Sequence, residues 1–204
     1  QKQGEKVKVT CTKSNEGFAT AGGVQYVACA GNFKDAGLEY TGALKVLQMI
    51  FSYEYLWIQI RVKGGAYGCM CSFSDQGDSM FVTYRDPNLS ESYKVYDEAA
   101  DYVADFDADD RDMKKYIIGT IGSMDMPMEA VDMGARSFHA YFLDKTEADL
   151  QKVRDQVLSC TQEDIRALAP IVKAVVEAGN RCCIGNEEKI DQNKEYFDEV
   201  KHVL

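Results

Sequence analysis

The stretch from Leu44 to Lys63 constrains the fold more than any other part of the chain. Leu44, Leu47, Phe51, Tyr55, Ile58 and Val62 recur at steps of three and four, which is one face of a helix. Val46, Met49, Ile50, Tyr53, Trp57 and Ile60 supply a second apolar set on the other side. A helix apolar nearly all round has to be packed inside a larger body. Thr41 can cap its start. The span is long, so the pattern predicts a break near Ser52 to Glu54 and a second helix ending at about Lys63. The run then changes character, in Arg61-Val62-Lys63-Gly64-Gly65-Ala66-Tyr67-Gly68. A fixed cation is followed by two glycines and a phenol. Glycine pairs permit positive φ and the close approach of another chain. The guanidinium of Arg61 and the hydroxyl of Tyr67 can therefore be turned onto one surface beside an exposed strand, where they can grip a peptide carbonyl.

Strand and helix signals alternate along the rest of the chain. Lys6 to Thr12 alternates charged and apolar residues and reads as a strand. Asn15-Glu16-Gly17 reads as a turn, and Val24 to Cys29 as a buried strand. Tyr67–Phe73 and Ser79–Tyr84 read as a hairpin around Ser74-Asp75-Gln76-Gly77-Asp78. Asp86-Pro87-Asn88 stops the second strand. Asn88 with Glu91 resembles a capping box, which predicts a helix from about Leu89 to Ala104 with Tyr93, Tyr96, Ala100 and Val103 inward. Residues 104–112 read as an acidic loop and 113–121 as a short helix. The stretch 123–134 has no clear period, and 137–143 reads as helix. Thr146 with Asp149, and Thr161 with Asp164, repeat one helix-start chemistry. Leu150, Val153 and Val157 line the first of these helices, and Ile165, Leu168, Val172 and Val175 the second. Pro170 should kink the second helix, and Gly179 suits the left-handed residue after its end. Residues 181–185 read as a strand and 191–203 as an exposed last helix. This order predicts an α+β fold, an antiparallel-rich sheet with helices packed on one face.

The 204 residues suit one domain. A net charge of −10 argues against nucleic acid or an anionic membrane as partner, because both need a basic face. No run approaches the roughly 18 apolar residues of a membrane span. The seven cysteines are odd in number, and several sit in apolar runs. They read as mostly free thiols in a reducing, cytoplasmic compartment. The N-terminus shows no signal-peptide pattern and does not begin with Met, which suggests a piece cut from a longer chain.

Few residues offer chemistry. His139 and His202 are far apart, and His139, among aromatics, reads as a core or boundary residue. Cys69 and Cys71 share one side of a strand, whereas Cys182 and Cys183 take opposite sides. Neither pair has the spacing of a zinc loop. No serine or cysteine sits in a nucleophile motif, and neither Gly22-Gly23 nor Gly64-Gly65 has phosphate-loop spacing. Arg61 and Tyr67 remain, and the residues alone leave two readings open. Arg61 can simply end a helix and Tyr67 begin a strand, or the two can form a site.

The run from Leu56 to Gly68, together with Tyr84-Arg85-Asp86-Pro87-Asn88, closely resembles the C-terminal part of presequence-protease-type metallopeptidases of the pitrilysin (insulin-degrading enzyme) clan. Val24-Gln25-Tyr26-Val27, Gly119-Thr120-Ile121-Gly122 and Thr161-Gln162-Glu163-Asp164-Ile165 fit the same region. The resemblance implies four related units in one polypeptide, closing as a clamshell over a chamber, with residues 1–204 as the fourth unit. It implies zinc in the full-length enzyme, held by the His-x-x-Glu-His motif of an N-terminal domain absent from this chain. The chain itself would hold no cofactor and would be inactive alone. Arg61 and Tyr67 match the family's catalytic Arg and Tyr, whose donors bind the peptide backbone and the developing oxyanion. Gly64, Gly65 and Gly68 would let the peptide lie close, with Tyr84 and Arg85 in support or contact. The expected partners are a peptide substrate and the zinc-bearing domains of the same polypeptide, with self-association of the isolated piece. Two alternatives stand beside this reading: a silent scaffold unit of the same clan, and a module that captures peptides by strand addition at the Tyr67 hairpin edge.

Overall fold

A computed structural model of the chain describes Val7, Val9, Thr10 and residues 12–203. Among these residues, six strands form one sheet in the order β3-β4-β2-β5-β1-β6. They are β1 (Glu16–Thr20), β2 (Tyr26–Asn32), β3 (Gly68–Phe73), β4 (Asp78–Tyr84), β5 (Asn180–Asn186) and β6 (Glu199–His202). The β3–β4, β4–β2 and β2–β5 pairs are antiparallel, and β1 joins β5 and β6 in parallel. The pleat divides the sheet into two unlike faces. Val27, Cys29, Cys71, Phe73, Phe81 and Cys183 point one way and are buried, while Tyr26, Met70, Met80, Tyr84 and Ile184 point the other way and are exposed. Helices therefore cover one face only, as the α+β reading expects.

That covered face explains the apolar stretch. Helix α1 (Ala43–Tyr53) buries Leu44, Val46, Leu47, Ile50 and Phe51. The Phe51 ring packs at 5.7–6.4 Å from those of Phe73, Phe81 and Tyr102. The break comes at Glu54, as expected. Tyr55 and Leu56 are buried beyond it, but Trp57–Lys63 then winds as a π-helix whose only buried residue is Ile60. Trp57, Ile58 and Val62 face solvent, so the second half of the apolar pattern is not a core helix. Farther on come α2 (Ser90–Asp97), α3 (Ala99–Ala104), α4 (Asp110–Met124), α5 (Ala130–Phe142), α6 (Glu147–Leu158), α7 (Gln162–Arg166), α8 (Ala169–Glu177) and α9 (Glu187–Gln192). Helix α8 lies so close on β2 that a Cβ at Gly31 would meet the Val175 carbonyl at 2.5 Å.

Several expectations need correction. Val7, Val9, Thr10 and Thr12 belong to no strand, and the rest of the 6–12 segment lies outside the described residues. The first strand begins at Glu16, where a turn was expected. Asn15 spends its turn chemistry on tertiary bonds, accepting from Arg181 N at 2.9 Å and Asp198 N at 2.8 Å. The helix expected at 89–104 is broken at Glu98 into α2 and α3. The expected helix is interrupted at Ala167 and Leu168, and Pro170 does not kink it, because it sits in the first turn of α8, where its missing amide hydrogen costs nothing. The region without a period holds the first five residues of α5, a helix with no buried residue. His139 on it is exposed, not a core or boundary group, and Leu150 on α6 is exposed too. Residues 191–203 hold the end of α9, a 3-10 turn and β6 instead of a helix. Phe197 there packs over Gly17 of β1, where a Cβ would meet its ring at 3.0 Å. Both Thr-Asp capping boxes form as read, and Gly179 has φ 63°.

Candidate functional site

The proposed residues converge at one end of the β3–β4 hairpin. The π-helix carries Arg61 there and hands the chain to a tight turn. Gly64 N donates to Gln59 O at 3.0 Å and Ala66 N to Ile60 O at 3.1 Å. Gly65 has φ 81°, a conformation that favours glycine. A Cβ on Gly64 would sit 2.5 Å from Ile60 O, so this position also demands glycine. Ala66 is buried and plugs the turn. Gly68 opens β3 and has room for a side chain, since a Cβ there would lie 3.8 Å from that of Tyr84.

Arg61 stands free of any ion pair among the described residues and spreads over two rings. Its Cζ is 4.1 Å from the Trp57 ring centroid and 5.9 Å from that of Tyr67. Tyr67 is 66% exposed, so its hydroxyl faces solvent on the surface that Arg61 occupies. The Tyr67 ring meets Tyr84 edge-on at 5.7 Å, and Tyr84 meets Tyr26 at 5.4 Å. Arg85 has φ 50° and places its guanidinium 5.9 Å from the Tyr84 ring. A bulge causes this. Ala28 pairs with Val82 and Gln25 bridges to Asp86, which leaves one unmatched residue on the β4 side. Tyr67 N donates to Arg85 O at 3.2 Å and ties the two ends of the hairpin.

A buried polar network lies beneath. Asp86 is fully buried; Oδ2 accepts from Ser92 Oγ at 2.6 Å and Oδ1 from Asn88 N at 2.9 Å. Burial pushes the Asp86 carboxyl up from the usual carboxylate range, against the pull of these bonds. Asn88 Nδ2 donates to Gly64 O at 2.7 Å, so the network reaches the glycine turn. Asn88 is therefore a strut, not the cap of α2 that the sequence suggests, and Leu89 takes the N-cap position without a side-chain bond. Gln25, also buried, accepts from Asn186 N at 2.7 Å. Sequence reasoning missed Trp57, Asp86 and Asn88 as parts of this site. The Asp-Pro-Asn triplet carried one signal, because an aspartate commonly bonds the amide two residues on.

The described residues do not fit a zinc ion. No three His, Cys, Asp or Glu side chains gather as a metal-binding group among them. His202 pairs with Glu187 at 3.2 Å. Burial pushes the Cys29 and Cys69 thiols up to about 11 and those of Cys160 and Cys183 to about 12, with Arg61 opposing the rise at Cys69. Thiols held protonated are poor ligands and poor nucleophiles. A cleft of about 730 Å³ lies elsewhere, bordered by Tyr40, Lys45, Arg136, His139 and Arg154. The Arg61–Tyr67 surface is open. No helix among the described residues is long and apolar enough to cross a membrane.

Protein HypA of Clostridium perfringens is 43% identical over 192 residues, covering 94% of this chain and 20% of that protein. Presequence protease 1, chloroplastic/mitochondrial, of Arabidopsis thaliana is 33% identical over 194 residues, covering 93% and 18%. The chain thus spans about a fifth of the length of these relatives. In fold it is similar to a peptidase M16 inactive domain from Pseudomonas fluorescens, with TM-score 0.61 and 15% identity over 88% of this chain and 45% of that one. It is also similar to a protease from Helicobacter pylori, with TM-score 0.59 and 15% identity over 89% and 48%. Residues 15–186 match the family described as the PreP C-terminal domain. The chain belongs to that family, as a C-terminal domain of M16-type peptidases.

Proposed function

We propose that this chain is the substrate-binding and transition-state-stabilising C-terminal unit of a zinc-dependent endopeptidase that degrades oligopeptides. In this reading it is one of four units in a single polypeptide that closes like a clamshell. The zinc centre belongs to another part of that polypeptide, and no zinc step passes through these residues. The observation that carries the reading is the shared surface of Arg61 and Tyr67. A guanidinium with no ion-pair partner among the described residues and a solvent-facing phenol lie 5.9 Å apart, beside a sheet edge. Arg61 binds a backbone carbonyl near the scissile bond and keeps its charge as the chamber dries. Tyr67 donates its hydroxyl to the oxygen on which negative charge grows. Gly64 and Gly65 keep the turn low enough for an extended peptide to pass, with Gly68 alongside, and Tyr84 and Arg85 flank it. Six free thiols among the described residues agree with a reducing compartment.

The test is made in the full-length polypeptide. Arg61→Ala and Tyr67→Phe should each lower kcat/KM on the order of a hundredfold, about 3 kcal/mol of transition-state stabilisation, with melting temperatures little changed. The isolated chain should neither retain zinc stoichiometrically nor cleave peptides. Unchanged turnover in both variants would mean that the unit is a scaffold and that Arg61 and Tyr67 have no part in the chemistry. The open β3 edge also supports capture of peptides by strand addition. That reading gains if the isolated chain binds unfolded peptides while both variants turn over normally.

A further inference from the structure

The open face of the sheet continues the Arg61–Tyr67 surface in one direction. Tyr67 meets Tyr84, Tyr84 meets Tyr26, Tyr26 is paired with Ile184, and Ile184 with Phe18. Tyr84, Tyr26, Ile184 and Phe18 lie on the successive strands β4, β2, β5 and β1, and Tyr67, just before β3, completes one row across the sheet. Tyr26 is 38% and Ile184 45% exposed. Among the described residues, charge bounds the row at its two ends. Arg61 and Arg85 stand at the β3 end, and Lys201, beside Phe18 and ion-paired with Glu16 and Glu199, at the other. The adjacent row holds Val82, Ala28 and Cys182 and, among the described residues, meets no charge before Glu16.

We infer that this row is a binding track for the apolar side chains of an extended peptide anchored at Arg61 and Tyr67. The inference rests on the proposed role of that pair and adds a preference to it. Geometry fixes the occupant. Neighbouring strands lie roughly 4.8 Å apart, so the four steps from Tyr67 to Phe18 cover about 19 Å. An extended chain rises about 3.3 Å per residue and needs about six residues for that distance. Its same-side residues recur every 6–7 Å or so, which puts about three side chains on the row. With no charge between the two ends among the described residues, aromatic or large aliphatic side chains suit these positions, and charged ones would lose hydration without gaining a partner. The track therefore selects for apolar residues at alternate positions within about six residues of the anchor.

The test uses the 204-residue chain and two labelled ten-residue peptides, followed by fluorescence anisotropy. One peptide carries Phe at alternate positions and the other Ser at the same places. The Phe peptide should bind at least about tenfold tighter, which is about 1.4 kcal/mol. Tyr26→Ser and, separately, Ile184→Thr should erase most of that preference and leave the Ser peptide unaffected. Ile184→Thr keeps the β-branched shape that suits the strand, and far-UV circular dichroism checks both folds. Arg61→Ala should weaken both peptides alike. Equal affinity for the two peptides, a preference that survives both track variants, or no binding of either peptide would overturn the track. So would a peptide-independent dimer abolished by Tyr26→Ser, because a second copy would then be the occupant. If Arg61→Ala changes nothing while the Phe preference persists, the track stands and the anchor reading fails alone.

Discussion

Replacing Asp86 by alanine should cost the fold about 3 kcal/mol, because a buried donor and a half-buried one lose their acceptor at once. The Ser92 hydroxyl at 2.6 Å and the Asn88 amide at 2.9 Å both point at this fully buried carboxylate, Ser92 itself being buried and Asn88 half-buried. Each orphaned group costs about 1–3 kcal/mol, and part is recovered because burial already disfavours the charged form. Asp86→Asn should cost under about 1 kcal/mol, because Oδ1 survives for Asn88 and the Ser92 hydroxyl can turn to accept from the new amide. Urea unfolding separates the two variants. With a slope of about 3 kcal/mol per molar, Asp86→Ala should lower the midpoint by about 1 M and Asp86→Asn by a third of that or less. The dependence on pH has a definite sign. The Asp86 carboxyl is raised above 3.8 by burial, so through that window the native state binds more protons than the unfolded state. The stability contributed by this group therefore falls as pH rises from about 4 through the raised value. Asp86→Asn cannot titrate and should gain on the wild type over the same range. An Asp86→Ala midpoint indistinguishable from wild type, or an Asp86→Asn variant equally damaged, would refute the account of a buried strut beneath the site.

Trp57 is the only tryptophan, so its emission reports the Arg61 contact directly; Arg61→Ala should shift the spectrum, and an unchanged spectrum would deny the 4.1 Å stacking. Thr161→Ala should cost about 1 kcal/mol in thermal unfolding, and Thr146→Ala less, because the fully buried Ile165 lies in the turn that Thr161 caps, whereas Val157, the buried residue of α6, sits at the far end from Thr146. Gly31→Ala should destabilise by about 1–3 kcal/mol by wedging β2 from α8. Gly23→Ala, with nothing within 4 Å of the new carbon, should stay within about 0.5 kcal/mol and serves as its control.

Local chemistry made much of the fold legible. The Thr-x-x-Asp boxes, Gly179 and the β3–β4 hairpin are written in adjacent residues, and all three form. The core was legible where period and burial coincide, as in Leu44 to Phe51 and Ile165 to Val175. Legibility failed where tertiary partners reassign a residue. Asn15 and Asn88 are turn and cap residues by type, but each is consumed by a distant backbone group. Trp57, Ile58 and Val62 carry a helical period yet face solvent, because periodicity reports a face without saying what covers it. At the candidate site, Arg61, Gly65 and Tyr67 stood out because a cation, a left-handed glycine and a phenol are close in sequence. Asp86 and Tyr26 did not, because their part depends on a strand pairing that joins segments about sixty residues apart.

The π-helix has a consequence for how this surface tolerates change. Such a helix carries more residues per turn than the 3.6 of an α-helix and is rare and locally costly. One turn wound this way takes up about one residue more than an α-helical turn. Losing a single residue within Trp57–Lys63 would let the segment relax to ordinary winding while the chain on either side keeps roughly its direction. The same loss from an α-helix would turn every group beyond it by about 100° around the axis. The wide turn is therefore a reserve of length in front of the glycine turn, and one lost residue is a smaller threat there than one gained.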